Sequence, residues 1–305
     1  MKYLIIGSEG FLGKALSGVL SASQGHILLK ADLALEDKKA SNEYKVDLKD
    51  TSKLVSLCRT EQPDVIFNLA GIFNSPSPVK LFTANCFAPV AFLEAAAGLN
   101  CKIILIGSAA EYGLTRKGKK ISEDSALNPL SDYGISKACQ SFMAMRFAKS
   151  NKSPQVVIAR LFNMIGSGMH SSLFLGGFAR QVVDIEKGLV SSSVIKTGNL
   201  ESYRDLLPVK AVAESLKELA IYGEHAEVYN ICSSRPVKIG DVLQQLLKLA
   251  RKKISFEIDR SKFKANDIPW SVGENKKISQ FKKINFTDSQ LQAAIRETLD
   301  WYRGA

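Results

Sequence analysis

The first half of the chain alternates short, continuous apolar runs with amphipathic stretches. Residues 3–6, 27–31, 65–69, 103–106 and 156–159 are aliphatic or β-branched and bounded by Gly, Asn or charge. Such runs predict strands buried on both faces. Between them, residues 11–22, 51–60, 79–99 and 134–149 carry apolar positions at helical spacing,. Strand–helix alternation of this kind predicts an α/β fold with a doubly wound parallel sheet. After residue 165 the pattern changes. A Gly/Ser-rich loop (Gly166-Ser167-Gly168, then Ser171-Ser172) precedes an expected helix at 175–188 and a strand at 194–196. A helix at 209–222, a strand at 228–231, a helix at 239–251 and a C-terminal helix from 287 complete the reading. The expected organisation is a nucleotide-binding domain at 1–165, completed by segments near 207–232, and a smaller C-terminal α/β lobe for substrate at 166–206 and 233–305.

Composition narrows this little. With 305 residues, 46% of them hydrophobic, the chain can bury a substantial core. Its apolar runs stop well short of a membrane span, and the first of them suits a strand better than a leader, so the cytoplasm is expected. Five scattered cysteines and three distant histidines (His26, His170, His225) show no redox or metal-ligand spacing. Reduced core thiols and no metal are expected. The net charge of +11 would suit nucleic acid or a doubly negative pyrophosphate. No basic stripe interleaved with aromatics is present, so no nucleic-acid partner is expected.

Directly after the first apolar run stands Gly7-Ser8-Glu9-Gly10-Phe11-Leu12-Gly13. A strand, a tight glycine turn and a helix N-terminus whose free amides meet pyrophosphate form the dinucleotide cradle of a Rossmann-like domain. Gly7, Gly10, Phe11, Leu12 and Gly13 are therefore candidate contacts for NAD(H) or NADP(H). Asp32, ending the second run, can accept from ribose hydroxyls and repel a 2′-phosphate, which favours NAD. Lys38 and Lys39 soften that preference, and Glu36 and Asp37 cancel much of their charge. Asp47, followed by Leu48, is a candidate for the adenine amino group, with capping of the helix at 51 as the alternative.

Tyr133 and Lys137 lie four apart in an expected helix and so project from one face,. A phenol with a pKa near 10 needs a neighbouring ammonium to serve as an acid/base at neutral pH, and Lys137 is expected to lower it. Ser108 ends a buried strand, where parallel sheets place their active sites. It can bond a substrate oxygen beside Tyr133. A strand-end serine satisfied by its own backbone is the alternative.

These motifs, with Asn68-Leu69-Ala70-Gly71, Asn85-Cys86-Phe87-Ala88-Pro89, Gly107 to Gly113, Arg160-Leu161-Phe162-Asn163, Arg204-Asp205 and residues 228–232, resemble the extended short-chain dehydrogenase/reductases acting on nucleotide sugars. Within that family the segments Phe178-Ala179-Arg180-Gln181, Gly198-Asn199-Leu200-Glu201 and Asp267-Ile268-Pro269 are most similar to the GDP-4-keto-6-deoxy-D-mannose reductases. The resemblance implies that Leu69, Ala70 and Gly71 line the dinucleotide path and that Lys137 bonds the nicotinamide ribose. It further implies that Asn163 contacts the sugar nucleotide, that Arg180 and Arg204 pair with its phosphate or nucleotide portion, and that Lys264 stands near a position where relatives carry arginine. It also implies a homodimer built on the helices at 79–99 and 134–149. Leu161 and Lys210 depart from the family's proline and aspartate.

The same resemblance bears on the reaction. Dehydratases of this superfamily carry an acidic residue two positions before the Tyr112-Gly113 pair, and the related epimerising synthases carry a cysteine there. This chain has Ala110, which can transfer no proton. Redox at one carbon is left. Reduction of the C4 ketone of a GDP-linked 4-keto-6-deoxyhexose is favoured, with a 4-epimerase retaining NAD as the alternative. A catalytically silent NAD(P)-sensing scaffold stands further off, since it would need no Ser–Tyr–Lys triad.

Overall fold

The computed structural model describes residues 1–22, 25–36, 41–263, 267–284 and 286–305. In chain order the strands are β1 (Lys2–Ile6), β2 (Ile27–Asp32), β3 (Glu43–Lys45), β4 (Val65–Asn68), β5 (Lys102–Ser108), β6 (Gln155–Leu161), β7 (Asn163–Ile165), β8 (Val194–Thr197), β9 (Tyr203–Pro208), β10 (Glu227–Ile231), β11 (Pro236–Lys238), β12 (Ser255–Ile258) and β13 (Trp270–Ser271). The α-helices are α1 (Phe11–Ser21), α2 (Thr51–Glu61), α3 (Pro78–Phe82), α4 (Ala88–Ala95), α5 (Asp132–Ser150), α6 (Phe174–Glu186), α7 (Val209–Tyr222), α8 (Ile239–Lys248) and α9 (Asp288–Gly304).

Seven parallel strands form the central sheet in the order β3-β2-β1-β4-β5-β6-β10. This is the doubly wound arrangement that the apolar runs predict. Strand order reverses at β1 and β4, which opens the ligand crevice at their carboxyl ends. One apolar core, including Tyr3, Phe67 and Val157, lies on the face covered by α1 and α7 and runs on into α6, α8 and α9. A second, with Ile66, Phe92 and Ile103, lies on the face covered by α2, α4 and α5. Each fully buried aliphatic side chain contributes about 1.5–3 kcal/mol, so both faces hold the sheet firmly. Among the described residues no helix is long and apolar enough to cross a membrane.

The structure departs from the periodicity at instructive places. The expected helix over 79–99 is broken into α3, a π-helical turn at Thr83–Phe87, and α4. Pro89 supplies the reason: it has no N–H to donate and its ring crowds the carbonyl four residues back, so the helix widens locally. The smaller sheet, in which β9 pairs with β7, β11 and β13, and the β8–β12 pair are mostly unmarked in the sequence; only β8 was expected. Their strands are two to six residues long and are specified by partners distant in the chain.

Candidate active site

At the end of β1 the chain turns through Gly7 (φ +87°), and α1 begins after Gly10, with no side chain capping its first amides. A Cβ on Gly7 would stand 2.8 Å from the Ala70 nitrogen, and one on Gly13 would stand 2.1 Å from the Gly7 carbonyl oxygen. The loop is thus pressed against residues 69–70 on one side and against its own helix on the other. The Ser8 hydroxyl and both polar atoms of the Asn68 amide are buried here without partners among the described residues. Uncapped amides, a loop without side chains and unsatisfied polar atoms fit a dinucleotide pyrophosphate.

Asp32 accepts from the amides of Glu9 and Ala34, each at 2.9 Å. This ties the end of β2 to the glycine loop, and a carboxylate keeps lone pairs free for ribose hydroxyls. Lys38 and Lys39 lie outside the described residues. The capping role considered for Asp47 belongs to Asp50, which accepts from the Lys53 amide at 3.0 Å. Asp47 accepts from the Lys49 amide and pairs with its ammonium at 3.1 Å. Leu12 and Leu48 are buried in the two cores, so only their backbones can meet a cofactor. Phe11 lies beside Gly168, and Leu69 and Ala70 pack onto the cores at the end of β4.

Ser108, at the end of β5, accepts from the Ala110 amide at 3.2 Å and so caps the short 3₁₀ turn Ala109–Glu111. Helix α5 starts opposite, capped by Ser131. Gly134 lets it close in, since a Cβ there would stand 2.5 Å from the Ala110 carbonyl oxygen. This approach sets Tyr133 against Ser108. Burial pushes the Tyr133 phenol above its ordinary value; a hydrogen bond with Ser108 works against that, and the charge of Glu111 adds to it. Lys137, one turn on and 5% exposed, donates to Gln140 Oε1 at 2.8 Å. Gln140 in turn donates to the Ile106 carbonyl at 3.1 Å. In this structure the Lys137 ammonium is engaged by Gln140, and burial is the largest influence on the Tyr133 phenol.

Burial lowers Lys137 itself to about 8, with Glu111 and then Cys86 opposing. Its charge is present below that value and lost as pH rises through it. In a turnover assay, kcat/KM reports the free enzyme. It is expected to be flat through neutrality and to fall above pH about 8, as a pH–rate series would show.

A cavity of about 510 Å³ opens nearby, reached by residues two positions from Ser108 and from Tyr133 rather than by those side chains themselves. Ala110 and Ser131 wall one end, and Phe174, Phe178, Asn199 and Arg204 are among the residues lining the rest. Arg204 donates to the Ile268 carbonyl at 2.6 Å and to Asp267 at 3.3 Å. Asp267 also accepts from Asn199 and Ser202. Arg180 is not brought to the cavity. It is half exposed and pairs with Asp184 on its own helix at 3.0 Å, while its neighbour Gln181 lines the wall. Asn163 begins β7 beyond the end of β6, half-buried. Lys264 lies outside the described residues.

Several side chains gain a role only in the structure. Asn85, in the π-helical turn, clamps Ile72 through its amide and carbonyl (2.9 and 2.7 Å) and donates to Ser136 at 3.2 Å. Gln140 and Ser202 are single polar residues that no local pattern marks, and Asn199, within the Gly198–Glu201 segment, had no role assigned.

Residues 3–232 match the model of the NAD dependent epimerase/dehydratase family. The chain belongs to that family. Its cofactor is accordingly a nicotinamide dinucleotide, and its class is that of nucleotide-sugar reductases, dehydrogenases and epimerases. It is 26% identical over 86% of its length to a GDP-6-deoxy-D-mannose reductase of Pseudomonas aeruginosa, 84% of which is covered. It is 22% identical over 97% of its length to a GDP-6-deoxy-D-talose 4-dehydrogenase of Aggregatibacter actinomycetemcomitans, 96% of which is covered. The fold is shared with RMD from Pseudomonas aeruginosa complexed with NADPH (TM-score 0.86, 24% identity, covering 100% of this chain and 99% of that one).

Proposed function

We propose that this enzyme uses NAD(P)H to reduce the C4 ketone of a GDP-linked 4-keto-6-deoxyhexose, GDP-4-keto-6-deoxy-D-mannose being the first candidate. The observation that supports the reading is Ala110 on the cavity wall, two residues beyond Ser108 in the chain. Dehydration, or epimerisation at a neighbouring carbon, needs a second proton-transfer group there, and a methyl group cannot act as one. Relatives covering most of the chain carry names of GDP-6-deoxyhexose enzymes, which favours GDP as the carrier.

In this reading residues 1–165, with the segments near 207–232, hold the dinucleotide, and residues 166–206 and 233–305 form the substrate lobe. Gly7, Gly10 and Gly13 admit the pyrophosphate; Asp32 receives the adenosine ribose and favours NADH; Ala70 and Gly71 border its path. The reduced cofactor supplies a hydride to the carbonyl carbon. Tyr133 gives its proton to the carbonyl oxygen, which Ser108 holds by a hydrogen bond. A phenol kept protonated by burial is the right form for that donation. Lys137 would turn from Gln140 toward the cofactor's ribose and the phenolate that proton donation leaves on Tyr133. Arg204 and Asn163 meet the nucleotide portion and the sugar.

The test is to mix the purified protein with NADH or NADPH and GDP-4-keto-6-deoxy-D-mannose and follow cofactor oxidation. Consumption matched by a GDP-6-deoxyhexose product is expected. No consumption by a protein that binds the cofactor would remove this substrate. The second reading, 4-epimerisation with retained NAD, uses the same triad and has UDP-glucose 4-epimerases among the relatives, as from Lactobacillus helveticus (28% identity over 57% of this chain).

The homodimer expected on α3–α4 and α5 belongs to the same proposal. Val79, Phe87, Phe142 and Met143 are exposed on these packed helices, Phe142 by 62%. An apolar face of this kind marks an interaction surface. Phe142→Glu is expected to convert a dimer to a monomer in sedimentation velocity while leaving the thermal transition cooperative.

A further inference from the structure

Glu111, next in the chain to Ala110, is not among the residues lining the cavity. It is completely buried. Its Oε1 accepts from the Ser108 amide at 2.7 Å. Its Oε2 accepts from Ser141 Oγ at 2.8 Å and from Arg160 Nε at 3.0 Å, with Arg160 Nη2 at 2.9 Å. Arg160 continues to the Tyr112 hydroxyl at 2.8 Å, which donates to Asn230 at 2.7 Å. One carboxylate thus joins the end of β5, the helix carrying Tyr133 and Lys137, and β6. Gly107 makes room for it, because a Cβ there would stand 2.7 Å from Glu111 Oε1.

We propose that Glu111 is a positioning residue of the reaction, locking Ser108 to the helix of Tyr133 and Lys137 and acting as the counter-charge of the catalytic site. The proposal rests on the triad reading given above. A buried ion pair is by itself weak grounds for stability, since desolvation offsets the attraction. Three partners on three elements of the site, however, give it a geometric task. Its charge also reaches both working groups: it opposes the desolvation of Lys137 and raises the Tyr133 phenol. The titratable groups facing Lys137 are Glu111, Cys86 of the π-helical turn and Tyr133 on its own helix. Those facing Glu111 are Arg160 and Tyr112, with Glu123 bonded to the Asn230 amide beyond them. Removing the Glu111 charge therefore makes Lys137 harder to keep protonated.

The experiment compares Glu111→Gln with the double variant Glu111→Gln/Arg160→Gln, which does not leave the Arg160 guanidinium buried without its carboxylate. Near-UV circular dichroism, cofactor binding and the pH dependence of the reduction are measured for each. Expected is a fall in kcat of about 10- to 100-fold, with KM for the nucleotide sugar changed less than about threefold. The basic limb of the pH profile should move to lower pH by about half a unit in the single variant, and in the same direction in the double. A scaffold residue would not move that limb. A folded, cofactor-binding double variant with native kcat and pH profile would overturn the proposal. Loss of the fold in both variants would do so too, by making Glu111 structural only. Tyr133→Phe is run alongside: if it still turned over, the triad reading and this proposal would fall together. A dead Tyr133→Phe beside normal Glu111 variants would sink this proposal alone.

Discussion

Tyr133→Phe is expected to lower kcat by about 10²- to 10⁴-fold, the usual worth of a positioned acid, while NAD(P)H still binds within about twofold. The substitution removes one oxygen. The phenol oxygen faces Ser108, whereas the ring lies in the first turn of α5, whose cap is made by Ser131 and not by Tyr133. Nothing in the helix start depends on the hydroxyl, so folding and cofactor affinity should survive. Equal loss of kcat and kcat/KM is the signature of an interaction made in the transition state. Steady-state kinetics with fluorescence titration of the reduced cofactor checks both halves. Native turnover would remove Tyr133 from the chemistry and revive the reading of a silent dinucleotide sensor.

The second large effect is expected at Gly13. A Cβ at this position would meet the Gly7 carbonyl oxygen at 2.1 Å and the Ser8 carbonyl carbon and oxygen at 2.7 Å. All three are backbone atoms and cannot swing aside as a flexible side chain would. Gly13→Ala should therefore lift the glycine loop from α1, weaken cofactor binding by about 100-fold, and destabilise by about 1–3 kcal/mol, as overpacking does. Gly18 on the same helix is the matched control. A Cβ there meets nothing within 4 Å, so Gly18→Ala should stabilise by about 0.5–1 kcal/mol through helix propensity. Thermal melts and cofactor titrations of the two variants should move in opposite directions. If Gly13→Ala bound NAD(P)H normally, the loop would not be the cradle described.

The central sheet was legible because its strands are buried on both faces and so read as continuous apolar runs. β3 was missed because Glu43-Tyr44-Lys45 sits at the sheet edge with a charge at either end. The glycine loop and the Tyr133–Lys137 pair are local motifs with fixed spacing, and chain position alone brings each to the right end of a strand or helix. Arg180 shows the limit of that reasoning. A helical position near the substrate lobe does not say which side chain faces the cavity; Asp184 one turn on captures the arginine and Gln181 takes the wall. All five cysteines are free, but only Cys58, Cys86 and Cys232 are core residues, Cys101 and Cys139 being partly exposed; burial pushes Cys58 to about 12 and Cys86 to about 11.

By itself the sequence determined the class of fold, and it marked the glycine loop and the Tyr133–Lys137 pair as candidates, because periodicity, glycine turns and i,i+4 spacing are local properties of the chain. Tertiary structure alone decided how those groups are held and charged. The Gln140 bridge to Lys137, the Asn85 clamp and the Glu111–Arg160 pair each join residues from different elements. Desolvation, which governs Tyr133 and Lys137, arises only when those elements close over them.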